Sequence, residues 1–245
     1  MEKHESFIDA LNYRRSVRVY DDAKELDDEI VKKCIQQATL APNSSNMQLW
    51  EFHHVTSTDL LKKLAEACLG QPAATTAKQM VVVVVRKDLW KHRAKSNLNN
   101  LQQLFGNKPK EKQSSREKFA LNYYGKLMPF VYGEFLGLFG YLKFLISWAT
   151  GIFRPTYRQL RNSDLRIVAH KSAALAAQTF MLSMAAEGYD TCPMEGSDTL
   201  RIKKILKLPL SSEINMVISC GIRKPEGVYG ERFRIPFEEV YKHWS

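Results

Sequence analysis

Three short segments of the sequence combine residue types that can bind and position a ligand. The first, Arg14-Arg15-Ser16-Val17-Arg18, brings guanidiniums and a hydroxyl together, and guanidiniums form forked hydrogen bonds to phosphate. The second, residues 42–50 (PNSSNMQLW), is rich in amides and hydroxyls, which can satisfy the mixed donors and acceptors of a planar heterocycle. The third, residues 193–196 (PMEG), can form a tight turn that points backbone N–H groups at a ligand. Each segment alone is also typical of a basic helix end or an ordinary polar turn.

In combination and in this order, the segments resemble the FMN-dependent nitroreductase family. The family pattern is an RRSxR-like start, a PSSxNxQPW-like loop, a PxEG-like turn and a late basic pair, which Arg232 and Arg234 match here. The resemblance implies an α/β (α+β) fold with a mixed central sheet flanked by helices. It also implies an intertwined homodimer with FMN sites at the subunit interface.

The activity implied by the resemblance is that of an FMN oxidoreductase with an alternating, ping-pong mechanism. NADH or NADPH reduces the flavin at N5, leaves, and is replaced by a small-molecule acceptor such as a nitroaromatic, a quinone or an activated alkene. The sequence has no G-x-G-x-x-G motif after a strand, which agrees with a nicotinamide donor that visits the flavin without a Rossmann site. Nitroreductase-like folds also host dehalogenation and flavin-fragmenting chemistry, so these reactions stay open at this point.

The resemblance also assigns roles to the matching positions, with no catalytic side chain because the chemistry belongs to flavin N5. Contacts to the FMN phosphate and ribityl chain are assigned to Arg14, Arg15, Ser16, Arg18, Arg232 and Arg234. Contacts from the partner subunit are assigned to Pro42, Ser44 and Asn46, in a loop braced by Gln48 and Trp50. Contacts at the flavin ring are assigned to Gln71, Pro193, Met194, Glu195 and Gly196. In this assignment the turn at Glu195-Gly196 directs a backbone N–H to N5.

The sequence departs from the family pattern at several positions. Asn43 and Leu49 stand where Ser and Pro are common. Ala73 and Ala74 occupy the region that often supplies a flavin-contacting lysine. These departures bear on the substrate range and the flavin potential rather than on flavin binding.

The composition is that of a folded, positively charged chain. Of the 245 residues 44% are apolar, which excludes a disordered or collagen-like chain. The 36 Lys and Arg residues exceed the 26 Asp and Glu residues by 10, and residues 86–126 alone hold eleven cations against three acids. This segment is typical of a solvated helical face rather than a surface for an anionic dinucleotide, a membrane or RNA, and we expect no nucleic-acid partner. The alternative from another class is a membrane-binding or nucleic-acid-binding protein with a vestigial flavin site.

The cysteines and histidines indicate neither disulfides nor a metal site. The cysteines lack the paired spacing of zinc and redox motifs and are predicted to be buried thiols in a reducing compartment. They are Cys34, Cys68, Cys192 and Cys220. His53, His54 and His170 have no third ligand at metal spacing and are predicted to be structural. Because the first residues are charged rather than apolar, we expect no cleaved export leader and a cytoplasmic protein.

The spacing of apolar residues predicts the helices and strands that must position these segments. Strands are predicted over residues 50–55, 81–85 and 214–222. Helices are predicted over residues 28–41, 59–69, 164–188 and 199–206. Asp27 and Asp198 are the expected N-caps of two of them, and Gly188 ends the long third one. The run of valines at 81–85 predicts a strand buried on both faces at the centre of the sheet.

Residues 127–153 are the most apolar stretch of the chain, with only Glu134 and Lys143 charged. A bilayer needs about 20 apolar residues, and Pro129 and several glycines interrupt this stretch, so we expect no transmembrane helix. A helical hairpin is predicted instead, within an insertion at about residues 105–160 of a single nitroreductase-like domain that covers residues 1–245. The hairpin is expected to pack on the domain or across a dimer interface rather than on a membrane. Its position next to the active site predicts a lid or a bulky, apolar substrate.

Overall fold

Strands and helices alternate along the chain in the structure, a computed structural model that describes residues 6–106, 108–134 and 138–245. The strands are β1 (Trp50–Val55), β2 (Gln79–Val85), β3 (Asp190–Met194) and β4 (Glu213–Gly221). The first helices are α1 (Phe7–Tyr13), α2 (Asp28–Ala38), α3 (Thr58–Ala67), α4 (Pro72–Thr75) and α5 (Trp90–Leu104). The others are α6 (Ser115–Asn122), α7 (Met128–Tyr132), α8 (Leu138–Phe153), α9 (Asn162–Ala186), α10 (Thr199–Ile205) and α11 (Phe237–Val240).

The strands form one sheet in the order β1-β2-β4-β3, and every neighbouring pair is antiparallel. Among the described residues the parallel component of the predicted mixed sheet is one isolated bridge, between Ser16 and Thr191 of the edge strand β3. The α/β (α+β) class is therefore confirmed, with helices on both faces of an antiparallel sheet.

Strand β2 lies at the centre of the sheet, as the run of valines predicts. All seven of its residues are buried. Val81, Val83 and Val85 join the core cluster on one face of the sheet, whereas Val82 and Val84 join the cluster on the other. Full burial of a valine side chain stabilises the fold by about 1.5–3 kcal/mol, so β2 ties the two helical layers together.

The two predicted N-caps and the glycine after the long helix are confirmed, whereas α2 ends at Ala38 rather than at the predicted residue 41. The side chain of Asp27 accepts a hydrogen bond from the backbone N–H of Glu29 at the start of α2. Asp198 accepts one from the N–H of Arg201 at the start of α10. The chain leaves the long helix α9 through Gly188, whose φ of 77° is a left-handed conformation that glycine adopts without strain.

The predicted insertion contains helices α6, α7 and α8, with a π-helical segment at Tyr123–Leu127 between the first two. Helix α7 packs on the domain, because Met128 and Tyr132 belong to the main core cluster. No side chain of α8 belongs to either core cluster. Over the described part of the chain, no helix has both the length and the hydropathy needed to cross a membrane.

Candidate functional site

A basic cavity of about 270 Å³ forms where the N-terminal basic run meets the C-terminal segment. Its walls are Arg14, Arg15, Ser16, Arg18, Val228, Tyr229, Glu231, Arg232, Phe233 and Arg234. The structure thus brings together all the residues that the sequence assigns to a phosphate and its linker. Glu231 is the one carboxylate in this wall, against five guanidiniums.

Hydrogen bonds to backbone carbonyls hold the two ends of the chain together at this cavity. Arg232 Nη2 donates to the carbonyls of Arg14 (2.7 Å) and Asn12 (2.9 Å) at the end of α1. Arg15 Nη2 donates to the carbonyl of Gly230 (2.9 Å). These contacts leave the cationic groups clustered without neutralising them, because a carbonyl carries only a partial charge.

Arg14 has the features that most favour binding of an anion in this cavity. Its Nε is buried and has no hydrogen-bond partner. Burial, together with the neighbouring cations Arg232, Arg234 and Arg15, lowers the pKa of Arg14 below its usual range. A dianion placed in the cavity would supply the missing acceptor and offset the repulsion among the arginines.

A buried ion pair between the start of β3 and the end of α1 neutralises the carboxylate of Asp190, whose charge would otherwise repel an anion. Asp190, at the start of β3, is 2% exposed. It accepts hydrogen bonds from the backbone N–H of Arg223 (2.8 Å) and from Arg223 Nε (2.8 Å). Arg223 Nη2 also donates to the carbonyl of Tyr13 at the end of α1 (3.0 Å). The sequence analysis missed this pair because 33 residues separate its members and neither lies in a motif.

Strand β3 leads from the basic cavity to the third sequence motif. The N–H of Val17 donates to the carbonyl of Thr191 (3.2 Å), so the basic run lies alongside the start of β3. The predicted tight turn at residues 193–196 needs a correction, since Pro193 and Met194 are the last residues of β3. Pairing with β4 keeps them extended, and only Glu195 and Gly196 lie beyond the strand, both exposed.

Gln71 joins the same surface at the far end of β3. Its Nε2 donates to the carbonyl of Gly196 (2.8 Å) and to the carbonyl of Cys68 (3.0 Å). Gln71 and Gly196 are 125 residues apart in sequence, so this contact could not be derived from spacing. An extended ligand could therefore place an anionic group among the arginines and a polar ring near Gln71 and Gly196. With about 3.3 Å per strand residue, the surface is roughly 15 Å long.

The loop that carries Pro42, Ser44 and Asn46 lies elsewhere in the chain, and none of its residues lines the basic cavity. The N–H of Ser44 donates to Ser172 Oγ of α9 (3.2 Å). Asn46 Nδ2 donates to Asn97 Oδ1 of α5 (2.9 Å). Pro42, Ser44 and Asn46 are all exposed. Within one chain, therefore, the other predicted site residues lie at the basic cavity or at the end of β3, except that the side chain of Met194 is buried in the core.

The same loop is held in an unusual backbone conformation by its own side chains. Ser45, Asn46 and Gln48 all have left-handed φ values, near 50°, which residues other than glycine rarely adopt. Asn43 Oδ1 accepts from the N–H of Gln48 (2.9 Å), and Tyr124 OH donates to the carbonyl of Ser45 (3.0 Å). Gln48 therefore braces the loop as expected, and Asn43, a departure from the family pattern, takes part in the bracing.

A second, largely apolar cavity of about 410 Å³ lies beside this loop, and the sequence analysis did not find it. Its walls are Ser44, Ser45, Tyr123, Leu127, Met128, Phe130, Val131, Tyr132, Thr156, Tyr157, Leu160, Leu165 and Val168. Burial raises the pKa of Tyr132 to about 12, so this phenol is neutral at physiological pH. The cavity suits an apolar molecule that also accepts or donates a few hydrogen bonds.

The cysteines are buried, as predicted, and the histidines contact polar side chains. All four cysteines are buried and free, and burial raises the pKa of Cys68 to about 11. His170 Nε2 lies 3.2 Å from a carboxylate oxygen of Glu213, and His54 Nε2 lies 2.7 Å from Gln79 Oε1. In the described ranges no group of histidine, cysteine and acidic side chains could hold a metal ion.

Comparison with known proteins finds one family model and several relatives that match most of the chain. The sequence model of the nitroreductase family matches residues 11–222. The chain is 26% identical to DrgA of Synechocystis over 225 residues, which are 92% of this chain and 87% of DrgA. It is 23% identical over 237 residues to MhqN of Bacillus subtilis, a protein provisionally named NAD(P)H nitroreductase, with 97% and 98% of the two chains covered.

Solved structures share the fold over nearly the whole chain. A provisionally named nitroreductase of Bacillus subtilis, ydfN, superposes with a TM-score of 0.73 at 23% identity and covers 97% of this chain and 98% of its own. A provisionally named nitroreductase of Exiguobacterium sibiricum, solved in complex with FMN, gives a TM-score of 0.67 at 21% identity, with 100% and 99% covered.

Proposed function

The chain belongs to the nitroreductase family, and on this premise we propose that it is an NAD(P)H-dependent FMN oxidoreductase that reduces a small-molecule acceptor. The observation that carries the proposal is the basic cavity, in which five guanidiniums converge and the buried Nε of Arg14 lacks a partner. A monoester phosphate, with its double charge and several acceptor oxygens, is the kind of group that such a cavity binds.

The residues along β3 fit the rest of FMN. Arg14, Arg15 and Arg18, with Arg232 and Arg234, would hold the phosphate, and the hydroxyl of Ser16 would contact the linker. At the other end, Gln71 and the exposed backbone of Glu195 and Gly196 supply amide groups for a heterocycle. When bound, FMN would supply hydride chemistry at N5 in an alternating, ping-pong reaction. The chain's own part is to bind and orient the cofactor, and none of these side chains has to act as an acid or base.

A second copy of the chain would complete the site, and we include a homodimer in the proposal. Pro42, Ser44 and Asn46 are exposed on a rigid, braced loop that does not reach the basic cavity of its own chain. Every residue from 229 to 245 is exposed, including Phe233, Phe237 and Trp244. A C-terminal segment with this many exposed aromatic side chains is typical of an arm that packs against another subunit.

The apolar cavity is the candidate site for the body of the acceptor. Ser44 lines it, so the loop proposed to reach the flavin of the partner also borders this cavity. Its apolar walls and phenol hydroxyls favour an aromatic or alkenyl acceptor, such as a nitroaromatic, a quinone or an activated alkene, over a strongly charged one.

An absorption spectrum of the purified protein, recorded before and after reconstitution with FMN, tests the proposal directly. We expect flavin bands that bleach under anaerobic conditions on addition of NADH or NADPH, and that return on addition of a quinone or nitroaromatic. A comparison of the two nucleotides identifies the donor. A protein that stays colourless after reconstitution, or whose flavin neither nucleotide reduces, would contradict the proposal.

A further inference from the structure

Helix α8 exposes its apolar side chains and buries polar ones, the reverse of what is expected of a helix on the surface of a water-soluble domain. Its outward face carries large apolar side chains that are between 53% and 88% exposed. They are Leu138, Tyr141, Leu142, Leu145, Ile146, Trp148, Ile152 and Phe153. Its buried side chains include Lys143 and Ser147, which are polar. Amphipathic surface helices normally bury their apolar stripe and expose their polar one.

Polar contacts on the inward face fix this orientation. Lys143 is 2% exposed, and its Nζ donates to the carbonyls of Val131 (2.8 Å), Gly133 (2.8 Å) and Phe130 (3.2 Å) at the end of α7. Ser147 Oγ donates to the carbonyl of Tyr157. A rotation of α8 that buried its apolar face would break these bonds and leave the α7 carbonyls without donors. The apolar face is therefore held outward by the fold.

The charges around this face indicate what covers it. Arg154 directly follows α8, and Arg158 lies in the segment after it; both are exposed. The chain as a whole carries a net charge of +10. An anionic surface would attract these cations. Trp148 and Tyr141 on the face have the amphipathic rings that sit well at the boundary between headgroups and acyl chains.

We propose that the exposed face of α8 binds the surface of an anionic lipid bilayer, with the helix lying in the plane of the interface. The apolar side chains would enter the acyl boundary, and Arg154 and Arg158 would contact the headgroup phosphates. This is a peripheral attachment and needs no membrane span. It does not depend on FMN, because no residue of α8 lines the basic cavity or the apolar cavity. Tyr157, whose carbonyl accepts a hydrogen bond from Ser147, lines the apolar cavity, so the inward face of α8 adjoins a wall of that cavity.

Flotation of the full-length protein with lipid vesicles tests the proposal. Vesicles of phosphatidylcholine are compared with vesicles that also contain phosphatidylglycerol, at low and at high salt. The variant Leu145→Asp/Ile152→Asp puts two charges at the centre of the exposed face. The matched control Leu104→Asp/Leu210→Asp puts the same charges at exposed leucines remote from α8. Light scattering and thermal melting report the oligomeric state and folding of each variant.

We expect the wild type and the control to float with anionic vesicles, and the α8 variant to bind at least tenfold less. High salt and neutral lipid should both weaken binding. A second variant, Arg154→Glu, changes one exposed cation without touching the apolar face. It should weaken binding to anionic vesicles, which keeps the test valid if the double variant does not fold.

Four results would overturn the proposal. The wild type could fail to float with anionic vesicles, or the α8 variant could float as well as the control. In the third, the α8 variant could lower the oligomeric mass of the protein in solution, which would identify the face as a contact between copies of this chain. Equal binding to neutral vesicles would overturn the assignment to an anionic surface.

Discussion

The basic cavity and helix α8 place charge and apolar surface in opposite ways. In the cavity, arginines from distant parts of the sequence face outward and are held by backbone carbonyls, with a sheet strand behind them. In α8, the charged residue Lys143 faces inward and the apolar residues face outward. Both arrangements leave a surface that is unfavourable in water alone. Each region therefore presents a surface that suits a partner: an anion in the first, an apolar layer in the second.

The largest effect is expected from removal of the cationic face of the cavity. A hydrogen bond to a charged group contributes about 1.5–3 kcal/mol, so Arg14→Ala/Arg18→Ala should weaken FMN binding by roughly 100-fold or more. The thermal stability of the FMN-free protein should change little, because these side chains repel one another. Fluorescence titration with FMN measures the affinity.

The control for this variant is Lys110→Ala/Lys112→Ala, which removes the same charge from exposed positions in the insertion. If both double variants weakened FMN binding equally, only the overall charge would matter, and the assignment of the phosphate to the cavity would be wrong.

The second largest effect is expected at the buried lysine of α8. Lys143→Ala leaves the carbonyls of Phe130, Val131 and Gly133 without their donor. A buried polar group without a partner costs about 1–3 kcal/mol. The free energy needed to open α8 away from α7 should therefore fall by about 3 kcal/mol in total. Hydrogen exchange of the α8 amides measures this opening.

FMN affinity should stay unchanged in Lys143→Ala, because the walls of the basic cavity come from residues 14–18 and 228–234, outside α8. Lys118→Ala, at an exposed position of α6, is the matched control and should leave α8 exchange as it is. Loss of protection throughout the sheet would show that α8 is part of the main cooperative unit, contrary to its separation from both core clusters.

A smaller effect is expected at the far end of the cofactor surface. Gln71→Leu removes the hydrogen bond to the carbonyl of Gly196, and one such bond contributes about 1 kcal/mol. FMN affinity should fall by about fivefold, with α8 exchange unaffected. Gln103→Leu, at an exposed position of α5, is the control. A Gln71→Leu protein with full FMN affinity would remove Gln71 from the site.

The smallest effect concerns the pH dependence of the insertion. Hydrogen bonds from Lys108, and from the backbone and side chain of Ser114, lower the pKa of Glu117 to about 2. A lowered carboxyl pKa adds stability that is present above the ordinary value near 4.5 and is lost as the pH falls towards 2. Amide exchange in α6 should therefore be slower in the wild type than in Glu117→Gln at neutral pH, and the difference should vanish near pH 2. Glu111→Gln should show no such difference.

Local sequence was sufficient for most of the elements. The valines of β2 were sufficient to predict this strand, since β-branched residues in an unbroken apolar run are typical of a strand buried on both faces. Asp27 and Asp198 cap their helices as predicted because an N-cap contact involves residues only two or three positions apart. The pairing of Asp190 with Arg223, by contrast, has no local signal.

The candidate site was predictable only through the joint resemblance of its motifs. The basic run and the late pair were named from sequence, but their meeting at one cavity depends on contacts across more than 200 residues. The strand ending at Met194 replaced a predicted turn because pairing with β4 overrides the preference of Pro193 for a turn. The apolar cavity was missed because its walls come from four separate segments.

The sequence by itself determined most of the helical and extended segments, though not β3, and it showed where the cations concentrate and that residues 127–153 are apolar. Only the tertiary structure decided that the apolar face of α8 points outward. Periodicity reports how polar and apolar residues divide around a helix, but not which side meets the domain. Here Lys143 donates hydrogen bonds to the carbonyls at the end of α7. These buried bonds fix the rotation of α8 so that its apolar face points away from the domain.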